Sequence, residues 1–402
     1  MTTSTYRQLL RDSRYRAFWL GQITSVVGNG IRLVALPALI LIAHGGEAYA
    51  YTLAVDSLFS VTLMLFGGAI ADRYSRTAVM AVSDVIRAIA VLGYLSFGTR
   101  PELAPLLIFA ALAGTGGALF NPAHRAALPQ IVPLELRQKA NSLDGATNSL
   151  GMAIGAGLGG LLVATIGPRY ALMVDAATFG ISLLTLLWIR LPRVAPTLTE
   201  RTSIFKDVRE GIAEVRKRAW VWTIILQGTV QVFLVFAPYV ALVPVASAER
   251  YGVSAYGWIS AAGSIGTIVG STLAGRIITK RPGLWAMNAL APSALLPLCL
   301  AIDMPLWVFC AGAFAAWLGL SVFVVFWFTA LQREFPLEVQ GRVFALEQVA
   351  TFGLNPIAFA VAPLIAFAIG LNAFAIMATI VLLISNYVVL FVRGAVQLSS
   401  RH

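Results

Sequence analysis

Apolar residues run in blocks of roughly twenty along most of this 402-residue chain. That is the length an α-helix needs to cross a bilayer core of about 30 Å. Lipid offers no partners for backbone polar groups, so a spanning segment must be a helix or a strand of a closed barrel. Barrel strands need only about ten residues, so blocks of this length read as helices. Charge agrees with that reading: 12% of residues are charged, where a soluble domain carries about 25%. The expected fold is therefore all-α and integral to a membrane. Twelve transmembrane helices fall near 17–43, 48–71, 77–98, 103–121, 142–166, 169–190, 219–246, 255–279, 284–302, 305–331, 343–367 and 369–392.

The basic residues set the orientation. With the N-terminus in the cytoplasm, the inside segments hold 24 Lys and Arg, against three outside: Arg100, Arg169 and Arg250. Arg32 and Arg87 lie within spans. This bias is what the positive-inside rule requires of an even number of spans with both termini cytoplasmic. The expected location is the cell membrane. The same distribution accounts for the net charge of +11 without nucleic acid, because the cations are spread over seven short segments and not gathered on one face. The first span is too long for a signal peptide.

Chemistry-bearing clusters are sparse. Cys299 and Cys310 suggest neither a disulfide nor a metal site, and His44, His124 and His402 are scattered. No phosphate-binding G-x-x-x-x-G-K-[ST] loop occurs. Gly155, Gly157 and Gly160 match a dinucleotide fingerprint, but inside a span, where small residues serve close helix packing instead. No metal, no cofactor and no enzymatic activity are expected.

An internal repeat divides the chain. A shift of 203 residues lays Ala127-Leu128 over Ala330-Leu331, Pro133-Leu134-Glu135 over Pro336-Leu337-Glu338, and Asp144 over Glu347. The same shift places Ala71-Asp72-Arg73 over Ala274-Gly275-Arg276. The reading is two six-helix halves in parallel register, 1–190 and 219–402, joined by a charged cytoplasmic loop at 191–218. Parallel halves that rock about a central substrate site are a transporter plan.

The segment Gly67-Gly68-Ala69-Ile70-Ala71-Asp72-Arg73-Tyr74-Ser75-Arg76 resembles the loop signature of the major facilitator superfamily. Gly151-x-x-x-Gly155-Ala156-x-x-Gly159-Gly160 is similar to that superfamily's antiporter motif, with Ala156 in place of its proline. Asn121-Pro122-Ala123, Leu128-Pro129 and Ala140-Asn141-Ser142 resemble its twelve-span macrolide- and siderophore-exporter branch. The resemblance spans essentially the whole chain and implies a drug–proton antiporter powered by the proton gradient. It gives Gly68, Asp72, Arg73 and Arg76 a role in a loop network that governs conformational change. The arginine that other drug–proton antiporters carry on the fourth span would fall near Ala110 and is absent, so a proton relay must use other residues.

Ionisable groups inside spans cost at least a few kcal/mol and need a partner, a cavity or a purpose. Gln22, Ser25, Asn29 and Arg32 share one face of the first span. Arg32 is read as a contact for a polar or anionic substrate group, as a charge that holds down the pKa of a nearby acid, or as half of a structural ion pair with a partner such as Asp56. Asp56, Asp144 and Glu347 are the proton-coupling candidates; the latter two could instead be gate contacts. Asp84 and Arg87, three apart, pair on one helix face and brace the loop signature. Asp175 is read as structural, on a peripheral helix. Gln227 and Gln231, with Phe233, Phe236, Tyr239, Phe323, Trp327 and Phe328, would form an apolar pocket with few polar handles.

The expected function is proton-coupled efflux of a small amphipathic organic molecule, by a monomer in the lipid bilayer. A dedicated exporter of one endogenous product, such as a siderophore or lipid, is the alternative within transport. A membrane sensor without flux is the alternative outside it.

Overall fold

Asp12 opens the first long helix. Its Oδ1 accepts from the backbone N–H groups of Arg14 (2.7 Å) and Tyr15 (3.1 Å), satisfying two donors that a helix start leaves free. The computed structural model describes residues 9–98, 102–133, 136–189, 191 and 212–399; the side chains of 65–73, 138, 142, 337–338, 341 and 345 lie outside the description. Helix α1 runs Ser13–Arg73 and is interrupted at Gly45, whose φ of 76° and ψ of −176° suit a residue without a Cβ. Its two arms are the first two expected spans.

The remaining helices are α2 (Arg76–Phe97), α3 (Leu103–Ile131), α4 (Arg137–Ile166), α5 (Pro168–Ile189), α6 (Ala219–Gln231), α7 (Ala237–Tyr251), α8 (Ala255–Ala274), α9 (Pro282–Leu290), α10 (Leu295–Ala301), α11 (Leu306–Glu334), α12 (Leu337–Phe352), α13 (Asn355–Ile369) and α14 (Leu371–Val388). No β-strand occurs among the described residues. The all-α expectation is met.

Among the described residues ten helical stretches are long and apolar enough to cross a membrane. The first, Ser13–Met64, has 52 residues, roughly 78 Å at 1.5 Å per residue and so more than twice the bilayer core. The expected eighth span appears as α8, rich in Gly, Ser and Thr, and is not among the ten. Large apolar side chains stand on the outside of this protein, with Phe367 at 89% exposure and Trp307 at 72%. In water such surface would be a liability; against lipid it is the expected solvent-facing layer.

The chain separates into two compact units, Met1–Thr197 with Pro244–Ala261, and Leu198–Val243 with Ala262–His402. The repeat register is visible in the helix bounds. A shift of 203 carries α3, Leu103–Ile131, onto α11, Leu306–Glu334, end to end. It also carries Gly167, which closes α4 at φ 89°, onto Gly370, which closes α13 at φ 86°.

In the first unit Tyr15, Phe18, Met80, Phe120, Leu128 and Leu186 form one core cluster, and Ile40, Tyr49, Tyr94, Leu106 and Ala110 another. Close contact, and not escape from water, holds such helices together in lipid. The glycine run of α4 supplies it: a Cβ added to Gly155 would lie 2.9 Å from the Cα of Gly30 on α1, with the Val27 carbonyl closer still. Gly157, two residues on, has room, its added Cβ meeting only Ala261 Cβ at 3.8 Å. Gly155→Ala should therefore cost about 1–3 kcal/mol through overpacking, whereas Gly157→Ala should be neutral or stabilising. Thermal unfolding in detergent separates them, and equal Tm values would refute the packing argument.

In the second unit Trp220, Ile224, Met287, Trp327, Leu331 and Leu346 form the main cluster. Arg218 ties the entry of α6 to the end of α11. Its Nε donates to Glu334 Oε1 at 3.0 Å, and its guanidinium lies 4.2 Å over the Phe335 ring. Beside it, a hydrogen bond from Lys217 holds the Glu214 carboxyl below its usual range.

Candidate substrate and ion sites

The first unit carries a chain of buried and half-buried charge. Asn29 and Arg32 on α1 line a cavity of about 270 Å³ with Tyr49, Thr52, Asp56 and Tyr94. Arg32 Nη2 donates to Asn29 Oδ1 at 3.1 Å. Its ion-pair partner is Asp175 on α5, with Nε 3.6 Å from Oδ2, and not the expected Asp56. Asp175 is fully buried, and neither of its oxygens accepts a hydrogen bond from the described residues. The sequence reads it as structural on a peripheral helix, and nothing local signals a partner 143 residues away. Asp56 stays on the same cavity wall as Arg32. Gln22 Oε1 and Ser25 Oγ, further along the polar face, are buried without hydrogen-bond partners among the described residues and do not line the cavity.

Asp84 and Arg87 pair as expected, and their surroundings show what the pair does. Ser182 Oγ on α5 donates to Asp84 Oδ2 at 2.6 Å. The Arg87 guanidinium sits 4.1 Å over the Phe120 ring of α3 and 4.6 Å over the Phe179 ring of α5. The pair thus joins α2, α3 and α5. Its expected role of bracing the loop signature cannot be read at Gly68, Asp72 and Arg73, whose side chains lie outside the described residues. Arg76, the last of that motif, donates to the Ala126 carbonyl at 2.6 Å.

Asp144 faces a group that sequence reasoning passed over. His124 Nε2 lies 3.5 Å from Asp144 Oδ1, and its ring stacks on Phe18 at 4.9 Å and Phe120 at 5.8 Å. The two residues are twenty apart on different helices, so periodicity could not join them.

The second unit holds a cavity of about 360 Å³, within the range of small-molecule sites. Phe236, Trp317, Phe323, Trp327 and Phe328 form much of its wall, with Gln231, Glu347, Gln348, Thr351 and Asn355 as the polar groups. Gln231 lines it, although its amide is engaged by Ser385 Oγ at 2.9 Å. Gln227 does not: its amide donates to Asn386 Oδ1 at 3.2 Å, and the residue ties α6 to α14. Phe233 and Tyr239 also lie off this wall. Between α6 and α7 the backbone widens into a π-helical turn, Val232–Phe236. Pro238 explains it, since in a regular helix its ring would collide with the Leu234 carbonyl. The turn places Val232 and Phe236 on the cavity wall.

Bilayer-length helices around cavities that hold charged and aromatic side chains define a multi-pass membrane carrier. A family model for the Major Facilitator Superfamily matches residues 18–350, and the chain belongs to that superfamily. It is a transporter and not an enzyme. The chain is 27% identical over 396 residues to the multidrug efflux pump Tap of Mycolicibacterium fortuitum, covering 92% of this chain and 93% of that one. It is 29% identical over 343 residues to the enterobactin exporter EntS of Escherichia coli, covering 83% and 80%. Among solved structures, a bacterial homologue of the iron transporter ferroportin superposes with a TM-score of 0.73 at 16% identity, covering 93% of this chain and 97% of that one. The nucleoside transporter NupG superposes with a TM-score of 0.71 at 12% identity, covering 95% and 100%. At these identities the likeness is one of fold.

Proposed function

We propose that the chain is a proton-coupled exporter of amphipathic organic compounds, working by alternating access of two six-helix halves, 1–190 and 219–402. Twelve crossings, both termini in the cytoplasm and action as a monomer complete the reading. The carrying observation is the charge chain of the first unit, in which half-buried Arg32 pairs with buried Asp175 and shares a cavity with half-buried Asp56. Ionisable groups kept in a membrane interior at such cost are the parts a proton-driven carrier needs. Asp56 is the proton carrier in this reading. Arg32 responds to its charge, and Asp144 and Glu347 act nearer the substrate path and gates. The aromatic cavity of the second unit, with Phe236 and Trp327, receives the apolar body of the substrate. Similarity to a multidrug efflux pump supports a broad substrate range. Similarity to a siderophore exporter favours a second reading, a carrier dedicated to one endogenous product.

Bacterial cells lacking their own drug pumps test export. Cells expressing this protein should extrude a preloaded lipophilic fluorescent dye severalfold faster than control cells, and a protonophore should stop them. Trp327→Ala should lower the rate. Equal extrusion with and without the protein, across dyes of both charges, would sink the broad-range reading.

A further inference from the structure

We infer that the aromatic cavity of the second unit is a subsite for bulky organic cations, with Glu347 as their counter-ion. This deepens the proposed function and rests on it. Glu347, on α12, is 7% exposed and lies on the cavity wall. Its carboxylate receives neutral donors: Thr351 Oγ1 at 3.2 Å, Gln348 Nε2 at 3.1 Å and the Trp327 side chain. No salt bridge reaches it from the described residues. Asp84 and Asp175 of the first unit differ, since Asp84 holds Arg87 and Asp175 holds Arg32, and Asp56 shares its cavity with Arg32. An acid held in a low-dielectric wall without a cation is costly, and a cation entering the cavity removes that cost.

The walls favour the same guest. Ring faces attract cations, and Phe323 stacks beside Trp327 at 6.5 Å with 11° between the planes. Asn355 Oδ1, on the same wall, is buried with no hydrogen-bond partner among the described residues and adds a second electron-rich oxygen. The donors of Thr351, Gln348 and Gln231 are already spent on protein partners, so Glu347 and the Asn355 oxygen are left to meet a guest, and an anion would face a carboxylate. A neutral compound would leave that carboxylate uncompensated. A cavity of about 360 Å³ takes a drug-sized ion whose charge is wrapped in apolar substituents.

Tetraphenylphosphonium and tetraphenylborate have nearly the same shape and opposite charge. Equilibrium dialysis of each against the purified full chain in lipid nanodiscs, native and Glu347→Gln, tests the inference. Partition of the probes into lipid cancels between the two proteins. Glu347→Gln should weaken phosphonium binding tenfold or more and leave borate binding unchanged or tighter, while Glu347→Asp should keep most of the native affinity for the cation. Equal weakening of both ions would mark the carboxylate as structural and overturn the inference while leaving the exporter reading intact, as would no change in either. Failure of both ions to bind the native protein would overturn the inference together with the reading of this cavity as a substrate site.

Discussion

Asp56→Asn is expected to abolish proton-driven transport while leaving substrate binding in place. Asp56 lies on the cavity wall with Arg32, and no salt bridge or side-chain hydrogen bond holds its carboxylate among the described residues. A residue whose protonation drives the cycle makes substrate affinity depend on pH. Such coupling is typically about 1–3 kcal/mol, or roughly 5–150-fold in affinity. Asparagine keeps the shape and cannot titrate, so in the variant this factor should fall to one. Substrate affinity measured at pH 6 and pH 8, together with gradient-driven flux in vesicles, reports both. Native flux in Asp56→Asn would remove this residue from the relay.

Asp84→Ala is expected to cost about 3–5 kcal/mol of stability, because it strands the Arg87 guanidinium among apolar helices. The pair is buried on both sides, at 6% exposure for Arg87 and none for Asp84. Ser182 would also lose its acceptor. The two rings over Arg87 remain, but a cation–π contact of about 2 kcal/mol does not replace a buried counter-ion. Removing both charges, as in Asp84→Leu with Arg87→Met, should recover most of the loss, since a buried pair exchanged for packed apolar groups is often neutral. Thermal unfolding of the two variants in detergent distinguishes them. A single variant as stable as the native protein would show that the pair does not hold α2, α3 and α5 together.

The fold was legible because its constraint is local and repeated. Twenty apolar residues make a spanning helix wherever they stand, and the loop repeat around Ala127 and Ala330 carried the register that reappears in α3 and α11. The packing role of Gly155 and Gly160 was legible for the same reason, since small residues in a span have few other uses, but Gly157, read with them, has room around it. The sites were less legible. The Asp84–Arg87 pair was found because it lies within one helical turn. For Arg32 the sequence offers Asp56 in the neighbouring arm only as one alternative partner, while the structure gives Asp175, and no periodicity in one helix reveals contact with another so far along the chain. His124 against Asp144 was missed on the same ground. Gln227 was placed in the pocket by its helix, but one residue's rotation on that helix decides between the cavity and Asn386. The π-helical turn shifts that phase beyond Gln231, and its trace in the sequence is a single proline, Pro238.

Proton-coupled export is the central claim, and the purified protein in proteoliposomes loaded with a pH-sensitive dye tests it most directly. With a pH gradient imposed, amphipathic cations, neutral compounds and anions are added one at a time. The account predicts that an accepted compound will move protons in the direction opposite to its own, and that Asp56→Asn vesicles will show none of this movement. Substrate flux without any proton movement in vesicles of the native protein would contradict it.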